Sequence, residues 1–81
     1  MLKIMIIKKD EDYITIIVFP ECSDAGNEFE MKIDITKWEI VYSHAREEQR
    51  IYARQAIIAL KSEIKRKGLE GLPSSIVSEW Y

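Results

Sequence analysis

Hydrophobic and polar positions divide the chain into two halves with different periods. Over residues 1–42, runs of β-branched and aromatic residues alternate with short charged or loop-forming segments, which is typical of strands. Over residues 43–68, apolar residues recur at a spacing of three or four, which indicates one long amphipathic helix. We therefore predict an α+β domain in which a three- to four-stranded antiparallel sheet carries one long C-terminal helix on one face.

Three segments carry the clearest strand signal. Residues 2–7 are rich in β-branched side chains, residues 13–19 are apolar on both faces, and residues 29–35 alternate strictly between apolar and charged. Apolar residues on both faces predict a strand that is central or covered on both sides, whereas strict alternation predicts one wet face. Residues 38–42 predict a fourth strand, with one bent strand over 29–42 as the alternative. Because the connections are short, the strand order is predicted to be a meander.

The helix has recognisable signals at both ends. Ser43 is predicted as the N-cap, because its hydroxyl can accept a hydrogen bond from an amide of the first turn. No proline or glycine follows before Gly68, which suits the left-handed position after a helix. A helical projection places one apolar stripe towards the sheet: Tyr52, Ala53, Ala56, Ile57, Leu60 and Ile64.

The segment after the helix is too apolar to be a free tail. It contains Ile76, Val77, Trp80 and Tyr81, and Pro73–Ser74 could open a short terminal helix. We expect residues 69–81 to pack on the domain or on a partner. The sequence thus predicts one domain over 1–81, with the sheet in 1–42, the helix in 43–68 and a packed tail in 69–81.

The charge is unevenly distributed although the net charge is only −2. Residues 1–42 hold five lysines and nine acidic residues, while residues 43–68 hold seven basic residues and three glutamates. A small negative net charge gives no global attraction to nucleic acid. One cysteine excludes an internal disulfide, which favours a cytoplasmic location, and no signal peptide or membrane-spanning segment is expected.

Five basic residues fall along one flank of the predicted helix: Arg46, Arg50, Arg54, Lys61 and Lys65. Residues 46, 50 and 54 have the spacing that aligns guanidinium groups in one column. Guanidinium groups match phosphate and carboxylate oxygens, so the hypothesis is a contact with phosphate or with an acidic partner. The alternative is a solvated face with Glu47 nearby.

Two isoleucines lie on the side of the helix away from the core stripe. Ile51 and Ile58 are seven residues apart, which places them on the same line of the helix surface. The hypothesis is self-association or a partner contact through this side. The alternatives are that the aromatic residues of the tail cover the pair, or that both side chains are simply exposed.

Other candidate chemistries are weak. His44 has no matched nucleophile or carboxylate motif, Cys22 has acidic sequence neighbours that disfavour a thiolate, and residues 10–12 lack the calcium-loop spacing. No catalytic residue, metal or cofactor is predicted. Five aromatic residues are expected in the core rather than in a base-stacking platform: Tyr13, Phe29, Trp38, Tyr42 and Trp80.

These features predict a small non-enzymatic interaction or regulatory protein. The expected partner is a protein or a second copy of the chain, as a homo-oligomer, and not a membrane. The alternative is a nucleic-acid-binding module that uses the basic flank of the helix. The sequence names no substrate and no specific partner.

Overall fold

The computed structural model describes residues 2–20 and 26–78 and shows one antiparallel sheet with one helix across it. The elements in chain order are β1 (Leu2–Lys9), β2 (Tyr13–Pro20), β3 (Phe29–Asp34), β4 (Glu39–Ser43), a 3₁₀ turn (Glu47–Gln49), α1 (Arg50–Lys67) and β5 (Ser75–Ser78). The sheet has five strands in the order β4-β3-β2-β1-β5. The predicted α+β class is confirmed.

The number of strands is larger than predicted. The first four strands form the expected meander, and β2 is the central strand. The fifth strand comes from the segment in which a short helix could have opened, and it pairs with β1 so that Ile76 faces Ile4. The alternative of one bent strand over 29–42 is wrong, because a turn separates β3 from β4 and Trp38 has a positive φ of 57° there.

The core lies between α1 and one face of the sheet. Its buried side chains alternate along the strands and meet the small residues of the helix, which let α1 lie close to the sheet: Leu2, Ile4, Ile14, Ile16, Val18, Phe29, Met31, Ile33, Ala53, Ala56, Leu60, Leu72 and Ile76. The predicted helix stripe is confirmed, with Tyr52, Ile57 and Ile64 half-buried beside it. Leu72 and Ile76 also confirm that the segment after the helix packs on the domain. Trp80 and Tyr81 lie outside the described residues.

The start of the helix differs most from its predicted place. Ser43 is the last residue of β4, opposite Met31, and its hydroxyl accepts a hydrogen bond from the Ala45 amide at 3.2 Å. The α-helix begins seven residues later, at Arg50. Pairing with β3 therefore overrides the local helix preference of residues 43–49, as tertiary contacts often override propensity.

A buried glutamine organises the turn before the helix. Gln49 is almost fully buried; its side-chain oxygen accepts the Arg46 amide at 3.0 Å and its side-chain nitrogen donates to the Asn27 carbonyl at 2.7 Å. Because Asn27 is 22 residues before Gln49 in the chain, no local sequence pattern predicts this arrangement. The end of α1 at Gly68 is confirmed, and the Gly68 amide donates to the Ile64 carbonyl. The φ of 77° is positive, but the ψ of 163° is extended rather than left-handed helical.

The turn between β3 and β4 is held by one carboxylate. Asp34 accepts the Thr36 hydroxyl at 2.7 Å, the Thr36 amide at 2.9 Å and the Lys37 amide at 3.1 Å. The hydroxyl bond, followed by the Lys37 amide, lowers the pKa of Asp34 below its ordinary value of 3.8. The folded protein therefore favours the charged carboxylate more than the unfolded chain does.

A lowered pKa links this turn to the pH dependence of stability. We expect the stabilisation from Asp34 to be present above pH 3.8 and to be lost as the pH falls through the lowered pKa of the folded state. Urea unfolding of wild type and Asp34→Asn, from neutral to acidic pH, measures this. The difference between their free energies of unfolding should be largest at neutral pH and shrink in acid. A difference that stays constant over the range would contradict the assignment.

Candidate functional site

The sheet face away from α1, here called the open face, has no element of the described chain packed on it. Cross-strand pairs and the alternation along each strand identify its side chains: Lys3, Met5 and Lys8 on β1, Tyr13, Thr15, Ile17 and Phe19 on β2, Glu30, Lys32 and Asp34 on β3, Glu39 and Tyr42 on β4, and Val77 on β5. The prediction that β2 is central is confirmed. Its second face is uncovered within residues 2–20 and 26–78.

An apolar stripe crosses the open face from β5 to β2. Met5 lies opposite Ile17, while Lys3 lies between Val77 and Phe19 in the next row of the ladder. Val77 is 58% exposed and Met5 is 36% exposed. Single exposed apolar residues are common, but neighbouring ones on adjacent strands form a continuous patch, which is the pattern of a contact surface.

Two lysine side chains of the open face lie over aromatic rings of the same face. The Lys3 ammonium is 5.8 Å from the centre of the Phe19 ring, and the Lys32 ammonium is 4.8 Å from the centre of the Tyr13 ring. These distances are within the range of cation–π attraction. The open face carries three lysines (Lys3, Lys8, Lys32) and three carboxylates (Glu30, Asp34, Glu39), so its formal charge is balanced.

A polar group borders the apolar stripe on the β3–β4 side. The Tyr42 hydroxyl donates a short hydrogen bond to the Glu30 carboxylate, and the Tyr42 ring stacks on His44 with 5.1 Å between ring centres. The bond to Glu30, with smaller contributions from burial and from the negative charge of Glu30, raises the pKa of Tyr42 above 10.0. Tyr42 therefore stays protonated and holds Glu30 in place. The sequence interpretation missed this pair, because Glu30 and Tyr42 meet only through the β3–β4 register.

The predicted column of arginines is only partly formed. Arg46 precedes the helix in extended conformation, with its side chain on Glu48 at 2.7 Å and on the Asn27 side chain at 3.0 Å. It therefore does not align with Arg50 and Arg54. The prediction failed because it assumed that the helix begins at Ser43.

The other basic residues of the flank lie on α1. Arg50 and Arg54 are one turn apart and line a groove of about 300 Å³ between α1 and β4. Further along, the Lys61 ammonium lies 5.6 Å from the centre of the Trp38 ring, and Lys65 is exposed. Within the described chain, neither Arg50 nor Arg54 forms an ion pair. This groove is the second candidate contact surface.

Ile51 and Ile58 lie where the helical projection placed them. Both are more than half exposed on α1, away from the sheet, and Ile58 also borders a shallow groove between α1 and β5. Their proposed part in self-association stays a prediction. Coverage by Trp80 or Tyr81 concerns residues outside the described chain.

The remaining candidates gain little from the geometry. The expectation that the aromatic residues are core holds for Phe29, which is buried, and Trp38 is half-buried against the core. It is wrong for Tyr13 and Tyr42, which lie on the open face. Cys22 lies outside the described residues. Asp10 accepts the amides of Asp12 and Tyr13 at 2.9 and 2.8 Å, so its carboxylate organises the β1–β2 turn.

Metal ligation and membrane insertion are two further possibilities for the described residues. Within residues 2–20 and 26–78, no three side chains of the His, Cys, Asp or Glu type are grouped as a metal site would require. In the same residues, no helix has the length and apolar character needed to cross a membrane.

Comparison of the chain with family models, with curated proteins and with solved structures finds no match in any of the three.

Proposed function

We propose that this protein is a small non-enzymatic interaction module that self-associates through the open face of its sheet. The observation that supports this is the apolar stripe, in which the exposed Val77 and Met5 are diagonal neighbours and Met5 lies opposite the partly exposed Ile17. Water contact with such a stripe is unfavourable, and burying it against a second surface is the usual source of association free energy.

Charge favours a second copy of the chain as the occupant. In a two-fold symmetric dimer, each patch meets the same patch of its partner. A surface of one sign would repel itself in that arrangement, but the open face carries equal numbers of lysines and carboxylates. The alternation Glu30–Lys32–Asp34 along β3 also lets opposite charges meet when two faces pack.

Size sets the expected strength of the contact. Five strands spaced about 4.8 Å apart, with central strands of about 26 Å, give a face on the order of 500 Å² per copy. Stable interfaces bury about 800 Å² per partner. A contact of this size is at the low end for specific interfaces, where weak and transient complexes are found, so we expect a dissociation constant on the order of 100 μM.

The outer side of the helix supports self-association less well. Ile51 and Ile58 are separated by two turns, and the basic residues Arg54 and Lys65 lie beside them on the helix surface. A symmetric helix-to-helix contact would bring these basic groups towards their own copies, which costs association free energy. This side nevertheless provides the matched control for the open face.

Light scattering after size-exclusion chromatography, from about 10 μM to about 1 mM, tests the proposal. We expect wild type to shift from monomer towards dimer over this range. Val77→Lys should keep the protein monomeric, because it places a charge in the apolar stripe. Ile51→Lys is the control: Ile51 is 52% exposed on the outer side of α1, it does not line the groove that Ile58 and Val77 share, and the substitution also adds one positive charge.

A strict monomer of wild type at about 1 mM would overturn the proposal. So would a dimer that Ile51→Lys disrupts and Val77→Lys leaves intact, since the contact would then lie on the helix. Circular dichroism tests whether each variant is folded. Met5→Lys, on a strand that is paired on both sides, provides a second open-face variant.

A further inference from the structure

Strand β4 is an edge strand with two neighbouring apolar residues that are not covered. Ile40 and Val41 are each about half exposed, and β4 is the first strand in the sheet order. An edge strand carries backbone N–H and C=O groups without hydrogen-bond partners in the sheet, and exposed apolar residues there favour pairing with another strand. Along an antiparallel edge strand, residues that hydrogen-bond to the neighbouring strand alternate with residues whose backbone groups point to the free side. The His44 amide donates to the Glu30 carbonyl, so the amide and carbonyl of the preceding residue, Ser43, point to the free side.

The groove beside this edge is lined by apolar and charged residues. Its apolar lining, here called the floor, consists of Ile40, Ala45 and Ala53. Arg50 and Arg54 contribute positive charge, and Glu47 is the only carboxylate among the described residues of the lining. With a volume of about 300 Å³, the groove has room for one or two side chains rather than a folded domain.

From this arrangement we propose that the groove binds a short extended acidic peptide, which lies along the free edge of β4. An apolar side chain of the peptide rests on the floor, and its carboxylates accept hydrogen bonds from Arg50 and Arg54. Arginine forks bind carboxylates with two parallel hydrogen bonds, and neither guanidinium is engaged by a carboxylate of the described chain.

The backbone contribution is limited to part of the strand. The register of β4 shifts between the pairs Lys32–Tyr42 and Ile33–Ile40, so Val41 is an extra residue that interrupts the edge. Pairing is therefore confined to the residues after Val41, and the groove supplies the rest of the contact. This selects a short peptide rather than a long added strand.

The described lining of the groove is mainly positive, unlike the balanced open face, and this charge argues against a second copy of the chain as its occupant. Pairing of β4 with β4 of another molecule would bring Arg50 and Arg54 of both copies together, and their repulsion opposes association. An acidic peptide meets the same groups with attraction. The phosphates of a nucleic acid would accept hydrogen bonds from the arginines, but the apolar floor and the carboxylate of Glu47 form no favourable contact with a phosphate backbone.

Fluorescence anisotropy tests the site with three labelled probes. The first is an eight-residue peptide of alternating glutamate and valine, the second replaces glutamate by glutamine, and the third is a single-stranded oligothymidine of similar charge. Because the protein concentrations needed overlap the range of the proposed dimer, each titration is repeated with Val77→Lys, the variant expected to remain monomeric. We expect the acidic peptide alone to bind, with a dissociation constant on the order of 10–100 μM that rises with salt.

Two variants locate the contact. Arg54→Glu should weaken binding of the acidic peptide at least about tenfold, whereas Lys65→Glu, with the same change of charge on the same helix but outside the groove, should change it less than about threefold. Ile40→Ser should weaken it as well, because it removes apolar surface from the floor without adding a charge that would repel the peptide.

Three results would overturn the proposal. One is no binding of the acidic peptide, and a second is equal binding of the glutamine peptide. The third is equal loss in Arg54→Glu and Lys65→Glu, which would indicate diffuse charge attraction. Preferential binding of the oligothymidine would assign the basic flank to nucleic acid instead.

Discussion

Replacing Leu60 by alanine is expected to remove about 2–5 kcal/mol from the free energy of unfolding. Leu60 is fully buried on α1, where its side chain fills the space between the helix and the sheet. Its neighbours Ala53 and Ala56 are too small to move into the cavity, so the packing lost is not recovered. For a domain of 81 residues, a total stability of about 4–12 kcal/mol is typical, so this loss brings the chain close to unfolding.

Urea unfolding followed by circular dichroism measures this loss. Ile58→Ala is the matched control, because Ile58 lies two residues away on the same helix but is 58% exposed, and its loss should cost less than about 0.5 kcal/mol. Similar costs for the two variants would show that α1 is not packed on the sheet through the Ala53–Ala56–Leu60 stripe.

Replacing Gly71 by alanine is expected to displace β5 and to destabilise the fold by about 1–3 kcal/mol. A Cβ atom at this position would lie 2.5 Å from the Lys67 carbonyl oxygen and 3.3 Å from its carbon. These are backbone atoms at the end of α1, and they cannot rotate away. The turn must open, which pulls Leu72 and Ile76 out of the core.

Gly68→Ala is the control for the conformational role of glycine. Gly68 has a φ of 77°, so alanine is strained there, but no atom lies within 4 Å of its added Cβ. With its ψ of 163°, this backbone conformation is essentially restricted to glycine, so we expect a cost of about 1–3 kcal/mol with β5 still paired. Amide hydrogen exchange at Ile76 distinguishes the two cases, because only Gly71→Ala should accelerate it strongly. Equal protection of Ile76 in both variants would contradict the steric argument.

Periodicity predicted the elements whose cause is local. Strict alternation located β3, the two-sided apolar run located β2 at the centre, and Gly68 marked the end of α1. The helix start was missed because its determinants are distant: the pairing of Ser43 with Met31, and the hydrogen bond from Gln49 to the Asn27 carbonyl. Residues 75–78 were not predicted as a strand, because four residues carry no clear period and the strand depends on the free edge of β1.

The candidate surfaces were predictable to different degrees. Arg50 and Arg54 were found from their spacing, but the groove they line requires Ile40 on β4, which the sequence could not place beside them. The open face had a signal that was available: the apolar residues on both faces of β2 predicted a strand that is central or covered on both sides. The described chain confirms the central position but provides no cover for the open face, and this is the reason to look for a cover in a second molecule.

The position of β5 also affects how the molecule opens. Leu2 lies opposite Ser78, so pairing of β1 with β5 closes a loop of nearly the whole chain, whereas the other strand pairs are hairpin neighbours. Loop-closure entropy opposes such a contact until the rest of the structure is in place. We expect β5 to join after the four-stranded meander and the helix have formed, and to be the first strand that separates under mild denaturation. Its departure would uncover the backbone groups of β1, so that an eight-residue strand would replace the four-residue β5 as the edge beside the apolar stripe.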